Sequence, residues 1–203
     1  MKKLILLIVL ITNFCMFNVS YSEQGNTHTG QDAINVGTPL LGQIKYCMST
    51  SKNSWSMCPP GIDGRNINKG YIDCSGFAMW VYGQLGVDIG WTTSTQQEKI
   101  TKAGCKMSTD WKNIKAGDLI YLKTQGGSTG HVVIATGNII NGRPEVIQSS
   151  SRRGTNKDTI NPNSYKGYFS AECVIANLPK GSSVPYTGTV GSAVVDEGTA
   201  TTV

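Results

Sequence analysis

Cysteine is the residue type that most constrains this chain. Six cysteines stand in 203 residues, and the first of them, Cys15, lies in a segment with the pattern of an export signal. Two lysines open that segment, residues 4–11 are all apolar, and small residues close it. This order predicts a secretory signal peptide over residues 1–22. Asn13 and Asn18 interrupt the apolar stretch too early for a helix that spans a bilayer.

Export places the mature chain in the periplasm or outside the cell, where disulfide bonds form and persist. Five cysteines then remain: Cys47, Cys58, Cys74, Cys105 and Cys173. An odd number in an exported protein indicates a free reactive thiol or an intermolecular bridge. Once the free cysteine is chosen, the other four can pair in three ways.

Composition narrows the function classes further. Charged residues make up 15% of the chain and apolar residues 39%, so the sequence favours a folded domain over a disordered one. The formal net charge is +5, whereas a nucleic-acid binder is usually more basic, with lysine and arginine clustered on one face. Two histidines are too few for a His-rich metal site. We therefore expect one domain with no nucleic-acid partner, no stable membrane insertion, no metal and no cofactor.

The surroundings of Cys74 favour it as the free, nucleophilic thiol. Asp73 is a good N-cap residue, and apolar residues follow at helical spacing: Phe77, Trp80, Val81 and Leu85. Cys74 would then lie in the first turn of a buried helix, where unpaired amides and the positive end of the helix dipole lower the pKa of a thiol. The alternative is a structural half-cystine or an inert core cysteine.

A nucleophilic thiol needs a base, and the chain offers two histidines. His28 lies in a polar, Gly-rich stretch, whereas His131 opens an apolar, β-branched run that predicts a strand. Asn141-Gly142 predicts a hairpin turn into a second strand, on which Gln148 can meet His131. A neutral amide would orient the imidazole without strongly raising its pKa. The alternatives are a core histidine and an ordinary polar strand residue.

These motifs, in this order, resemble the NlpC-type papain-like cell-wall cysteine endopeptidases. The similarity spans about residues 34–178. It is carried by Gly37-Thr38-Pro39, Asp73-Cys74-Ser75-Gly76-Phe77 with Leu85-Gly86-Val87, Thr93-Ser94-Thr95-Gln96-Gln97 with Ala103-Gly104, Ile114-Lys115-Ala116-Gly117-Asp118-Leu119-Ile120, Gly130-His131-Val132 and Val146-Ile147-Gln148-Ser149.

The resemblance implies an α+β fold, in which the helix that bears the cysteine packs on a small antiparallel half-barrel sheet. It implies Cys74, His131 and Gln148 as the catalytic residues. It also implies substrate binding by Asp73, Ser75 and Tyr46, the last from an insertion between residues 40 and 71. We expect a Cys47–Cys58 bridge to staple that insertion, and a Cys105–Cys173 bridge to join the loop after a helix to a last strand, Cys173 to Leu178.

The resemblance further implies a hydrolase that cleaves stem peptides of peptidoglycan between γ-D-glutamyl and a diamino acid. Residues 23–33 would form a flexible linker, residues 34–178 the peptidase domain, and residues 179–203 a disordered tail. Two alternatives stay open: an N-acetylmuramoyl-L-alanine amidase of related fold, and a non-enzymatic, disulfide-stabilised module that binds the cell wall. The sequence identifies no protein inhibitor or targeting partner.

Overall fold

The computed structural model describes residues 27–48, 57–65, 67–123 and 130–181, and the segment expected to be the signal peptide lies outside them. The described part contains four α-helices: α1 Gly30–Gly37, α2 Cys74–Gln84, α3 Thr93–Lys102 and α4 Ala171–Asn177. Its six strands are β1 Met107–Ser108, β2 Ala116–Leu122, β3 Val132–Ile140, β4 Arg143–Ser150, β5 Gly154–Thr159 and β6 Tyr165–Phe169. Among these helices, none has both the length and the apolar character needed to cross a membrane.

The six strands form one antiparallel sheet with the order β1-β6-β2-β3-β4-β5. Alternate residues of each strand point to opposite faces, so the sheet supports two cores. On one face the helices pack against side chains such as Leu119, Ile134 and Ile147. On the other face a smaller cluster includes Ile120 and Val133. The α+β class, with the cysteine-bearing helix on an antiparallel sheet, is thereby confirmed.

Helix α2 begins where the sequence predicts. The Asp73 carboxylate accepts a hydrogen bond from the Gly76 amide at 2.7 Å, which satisfies one of the unpaired donors of the first turn. The prediction of a single buried stripe is too narrow, because most residues of α2 are buried. The additional burial comes from the loop at Gly64 and from Gln96 of α3, which both contact the first turn.

The β3–β4 hairpin is also as predicted. Asn141 and Gly142 both adopt positive φ, 51° and 75°, which is the backbone that a two-residue hairpin turn of this type requires. Strand β3 begins at Val132, one residue after His131. The His131 carbonyl nevertheless accepts a hydrogen bond from the Leu122 amide at 2.9 Å, so the sheet pairing fixes the backbone of this histidine.

The last element differs from the prediction. The segment expected to be a strand, Cys173 to Leu178, lies mostly in helix α4, and the last strand is β6. The buried residues of α4 and its C-cap are Ala171, Val174, Ile175 and Leu178. Their spacing of three, four and seven residues is that of one face of a helix, and it prevails over the β-branched Val-Ile pair.

The expected linker also differs at its C-terminal end. Residues 30–33 belong to α1, which the Thr29–Asp32 capping box starts and which buries Ala33 completely. Gly30 packs so closely on β2 that a Cβ atom there would lie 1.9 Å from the Ala116 carbonyl oxygen. At the other end, the Pro179 carbonyl accepts a hydrogen bond from the Asp88 amide at 3.1 Å. The expected domain boundaries as such stay predictions.

Candidate functional site

The structure settles which cysteine is free. Cys47 is bonded to Cys58 and Cys105 to Cys173, as the sequence analysis expected, and Cys74 is the free cysteine of the described residues. The first bridge closes a loop of 11 residues and the second a loop of 68. Because α4 replaces the expected strand, the second bridge ties the turn after α3 to a helix.

The Cys74 sulfur lies against residues 130–132. This contact joins the start of α2 to the start of β3. Its Sγ atom is 3.9 Å from the Gly130 carbonyl oxygen, and the Val132 backbone amide is close enough to lower the thiol pKa. The structure therefore brings the thiol next to the segment that carries His131. Within the described residues, the hydrogen bond of the thiol goes to Gly130 rather than to the imidazole.

The electrostatics of the thiol differ from the sequence expectation. Burial is the largest effect, the Asp73 carboxylate acts in the same direction, and together they raise the pKa of Cys74 to about 12. The Val132 amide of β3 opposes this rise, and so do the Ser75 and Cys74 amides, as expected at a helix start, but they are outweighed. Cys74 is only 6% exposed, so the resting group is a thiol and not a thiolate.

Gln148 orients the imidazole of His131. The His131 Nε2 atom lies 2.7 Å from the Gln148 carbonyl oxygen, Oε1. A carbonyl oxygen can only accept a hydrogen bond, so Nε2 carries the ring proton and donates a hydrogen bond to Gln148. In the neutral ring this leaves the Nδ1 lone pair as the proton acceptor. The sequence prediction that Gln148 meets His131 from the neighbouring strand matches this geometry.

A residue that the sequence analysis did not identify fixes the Gln148 amide in turn. Asn156 pairs with Gln148 across β4 and β5, and Gln148 donates from Nε2 to Asn156 Oδ1 at 3.4 Å. Asn156 itself donates from Nδ2 to the Gly154 carbonyl at 2.7 Å and to Ser150 Oγ at 2.8 Å. This chain makes Gln148 present its oxygen to the imidazole. Only the register of β5 reveals it, because no local motif surrounds Asn156.

The charge state of His131 follows from its burial. Burial lowers the pKa of the imidazole, and this effect prevails over the Gln148 hydrogen bond and the Asp73 carboxylate, which both raise it. At neutral pH the site therefore holds a neutral imidazole at His131 and a protonated thiol at Cys74, whose sulfur lies against the neighbouring Gly130 carbonyl. Such a pair can react by transferring the thiol proton to Nδ1 as the sulfur attacks.

Asp73 and Ser75, both expected to contact substrate, are buried and bonded to each other. The Ser75 hydroxyl donates to Asp73 Oδ1 at 2.8 Å, beside the Gly76 amide that donates to the same oxygen. Burial raises the pKa of Asp73, while these hydrogen bonds and the Arg65 charge oppose the rise. The position of Asp73 thus serves the helix start first, and its role toward substrate stays a prediction.

Three tyrosines interact electrostatically with Cys74, and Tyr46 is the one that the sequence analysis named. Burial is the main cause that raises the pKa of Tyr46, and the Cys74 and Asp73 charges add to it. The charge of Cys74 also contributes to raised pKa values of Tyr121 and Tyr165, whose main cause is burial. Tyr121 and Tyr165 escaped the sequence analysis because they lie on separate strands, β2 and β6, that only the sheet brings to α2.

Gln96 is a buried support of the site. Its side chain is 0% exposed, and it donates to the Ser75 carbonyl at 2.9 Å while accepting from Tyr121 at 3.3 Å. Helix α3 is thereby tied to the first turn of α2. The described residues contain no group of three or more His, Cys, Asp or Glu side chains arranged to hold a metal ion.

A free cysteine at a helix start, a histidine at the start of an interior strand and an amide on the neighbouring strand are the kinds of groups that papain-like cysteine hydrolases combine. The comparison with known families agrees. The model of the NlpC/P60 family matches residues 61–173, which is more than half of the chain. The chain therefore belongs to the NlpC/P60 family, whose members are generally cysteine peptidases that act on peptidoglycan.

Similar proteins come from several organisms. The chain is 27% identical over 148 residues to the peptidoglycan DL-endopeptidase CwlO of Bacillus licheniformis, covering 73% of this chain and 28% of that protein. Among solved structures, NlpC1 from Trichomonas vaginalis is 20% identical with a TM-score of 0.48, over 70% of this chain and 43% of that one. RipD from Mycobacterium tuberculosis, described as a non-catalytic NlpC/p60 domain protein, is 16% identical with a TM-score of 0.47, over 70% and 95%.

Proposed function

We propose that this chain is an exported peptidoglycan hydrolase that cleaves stem peptides between γ-D-glutamyl and a diamino acid. The observation that carries the proposal is the free Cys74 thiol against the segment that carries His131, whose Nε2 is held by Gln148 at 2.7 Å. Family membership and the similarity to a DL-endopeptidase support the substrate class. No cofactor is needed for this chemistry.

The proposed reaction begins with the neutral pair. The Cys74 sulfur attacks the carbonyl carbon of the amide, and its proton moves to His131 Nδ1. Backbone amides at the start of α2 stabilise the oxyanion. The imidazolium then protonates the leaving amine, the C–N bond breaks, and a thioester remains. Water attacks this thioester, gives a proton to His131, and the thiolate leaves and is reprotonated.

The residues around the thiol would hold the peptide. Tyr46 and Ser75 would line the groove beside the nucleophile, and Asp73 would face the amino end of the stem peptide. The burial of the Asp73 carboxylate makes this last contact strong, because a charge pair that is shielded from water is weakly screened. Substrate binding that excludes water would also strengthen the attraction between the thiol proton and the imidazole.

The proposal includes the domain organisation expected from the sequence. Residues 1–22 would direct export and be removed, and the site would act in the periplasm or outside the cell. The two disulfide bonds of the described residues support an oxidising destination. Residues 34–178 would form the peptidase domain, together with residues 30–33, which belong to α1.

Digestion of purified muropeptides, read by mass spectrometry, tests the proposal. The wild-type protein is expected to release fragments cut after the γ-D-glutamyl residue. Cys74→Ala and His131→Ala are expected to abolish the products while circular dichroism shows an unchanged fold. Fragments cut at the muramoyl–L-alanine bond would assign the amidase activity instead. Binding of peptidoglycan with no product at all would assign a non-enzymatic wall-binding module.

Labelling with a thiol reagent gives an independent check. Cys74 is expected to react more slowly than an exposed cysteine at neutral pH, because burial and Asp73 keep it protonated. Complete absence of a free thiol in the native protein would contradict the disulfide pairing on which the proposal depends.

A further inference from the structure

A cavity lies outside the candidate catalytic site, on the flank of α2. It has a volume of about 510 Å³ and is lined by Met79, Trp80 and Gly83 of the helix, with Arg65 and Trp91 among the facing residues. Gly83 follows Cys74 by nine positions, which places this end of the cavity about 13 Å along the helix axis from the nucleophile. A volume of this size accommodates a small ligand.

The cavity contains a cation with unused hydrogen-bonding capacity. Arg65 is partly buried, and its Nε–H is the buried side-chain donor that has no partner within the described residues. Its guanidinium lies over the Trp91 ring, 5.9 Å from the centroid, and its charge also acts on the Asp73 carboxylate. A buried donor without an acceptor is rare in folded proteins and indicates an acceptor from a ligand or water.

The cavity also presents an aromatic face. Trp91 borders the cavity and is 61% exposed. This exposure is high for tryptophan, which has the largest apolar side chain. Arg65 lies over the ring, and the high exposure leaves indole surface open to contact a ligand. Exposed aromatic rings at a cavity rim bind flat, weakly polar surfaces, because contact removes apolar area from water while the edges keep their hydrogen bonds.

The charges around the cavity decide between ligand classes. Asp63 and Asp88 both line it, and Asp88 is already paired with Lys99 at 2.6 Å. These carboxylates disfavour an anion, while the guanidinium disfavours a purely apolar ligand. A neutral ligand with many hydroxyl and carbonyl groups can accept from Arg65 and donate to Asp63. A saccharide ring has this chemistry together with an apolar face for Trp91.

We propose that this cavity is a saccharide subsite that binds N-acetylated amino sugars of a glycan strand. The identity of the glycan as that of peptidoglycan rests on the proposed function. The acetamido oxygen accepts from the Arg65 guanidinium, the pyranose ring stacks on Trp91, and ring hydroxyls donate to Asp63. The subsite holds the glycan along α2 while a stem peptide reaches toward the start of the same helix.

Calorimetric titration of the purified protein with tri-N-acetylchitotriose tests the subsite without any catalytic step. We expect binding in the millimolar range or tighter, at least a tenfold loss for Trp91→Ala and for Arg65→Met, and retention within about threefold for Trp91→Tyr. Ile139→Ala is the matched control, because it removes another exposed apolar side chain, 46% exposed, from the β3–β4 hairpin. The control is expected to bind like wild type.

Several outcomes would overturn the inference. One is that the folded protein does not bind the trisaccharide at concentrations up to about 10 mM. Another is that the wild-type protein and Trp91→Ala bind it with equal affinity. Binding of sodium acetate that depends on Arg65, without binding of the trisaccharide, would assign the guanidinium to an anion site instead.

A second measurement separates this inference from the proposed function. We expect Trp91→Ala to lower the ratio of kcat/KM for glycan-linked over glycan-free muropeptides by at least tenfold. If the wild-type protein cleaves neither substrate, the proposed function fails, and the titration still decides the subsite. If it cleaves both and the ratio does not change in Trp91→Ala, the subsite fails and the proposed function stands.

Discussion

The two disulfide bonds allow a quantitative prediction about stability. A crosslink stabilises a fold mainly by removing conformations from the unfolded chain, and the effect grows with the logarithm of the loop length. The Cys47–Cys58 loop of 11 residues gives about 2.8 kcal/mol at 25 °C by this relation. The Cys105–Cys173 loop of 68 residues gives about 4.4 kcal/mol. Removal of the long-loop bridge is therefore expected to cost about 1.6 kcal/mol more.

The structure makes the two bridges a matched pair. Each joins one fully buried cysteine, Cys47 at 1% and Cys105 at 2% exposure, to one partly buried partner. The packing lost by substituting both cysteines with alanine is thus similar, and it cancels in the comparison. Both double variants are made in a Cys74→Ala background, so that the free thiol cannot exchange with the remaining bridge.

Urea unfolding, followed by tryptophan fluorescence and circular dichroism, measures the free energies. Coincident transitions from the two probes would show that each variant unfolds in a two-state manner. The Cys105→Ala/Cys173→Ala variant is expected to have the lower free energy of unfolding. Equal losses, or a larger loss for the Cys47→Ala/Cys58→Ala variant, would refute loop entropy as the main contribution of these bridges.

Three further predictions concern the site and the core. The acid limb of kcat/KM is expected to have its midpoint below 6.5, because burial keeps His131 neutral. Because the pKa of His131 is lowered in the folded protein, its contribution to the free energy of unfolding is complete above about pH 6.5 and is lost as the pH falls toward the folded-state pKa. Urea unfolding of the wild-type protein and of His131→Gln over a series of pH values measures this contribution. Gln148→Leu is expected to lower kcat about 10- to 100-fold and to shift the acid limb to lower pH, whereas Gln148→Glu is expected to shift it to higher pH. Asn156→Leu is expected to lower kcat less than Gln148→Leu does. An acid limb that does not move in the Gln148 variants would contradict the assigned contact with His131. Tyr82→Phe is expected to cost about 1–3 kcal/mol in the urea assay, because the Gly117 carbonyl loses a buried hydrogen bond of 2.6 Å; a cost near zero would show that this bond contributes nothing.

Local signals in the sequence were sufficient where a few adjacent residues determine the structure. Asp73 caps a helix through its own side chain, and Asn141-Gly142 form a turn because both residues accept positive φ. The hairpin then fixes the register that brings Gln148 to His131. The contact between Gln148 and His131 was predictable because each of these steps depends on neighbours in the chain.

The elements that differ from the predictions depend on distant partners. The Val174-Ile175 pair favours a strand by propensity, but the core contacts of α4 select a helix. Asn156 and Tyr165 reach the site only through the pairing of β5 and β6, and the polar segment before α1 gives no sign that Gly30 packs on β2. Sequence separation, rather than weak propensity, limited these predictions.

The pKa of the Cys74 thiol also depends on distant partners that the sequence does not reveal. The helix start lowers the pKa of Cys74 through amides within two residues of it, and the sequence reveals that effect. Burial and the capping carboxylate of Asp73 raise the pKa of Cys74 by more than these amides lower it. The carboxylate that starts the helix therefore also disfavours the thiolate. A site built this way cannot rely on a pre-formed thiolate at neutral pH. The proposed reaction therefore requires a neutral base with a fixed tautomer, and the hydrogen bonds through Gln148 and Asn156 fix the tautomer of His131.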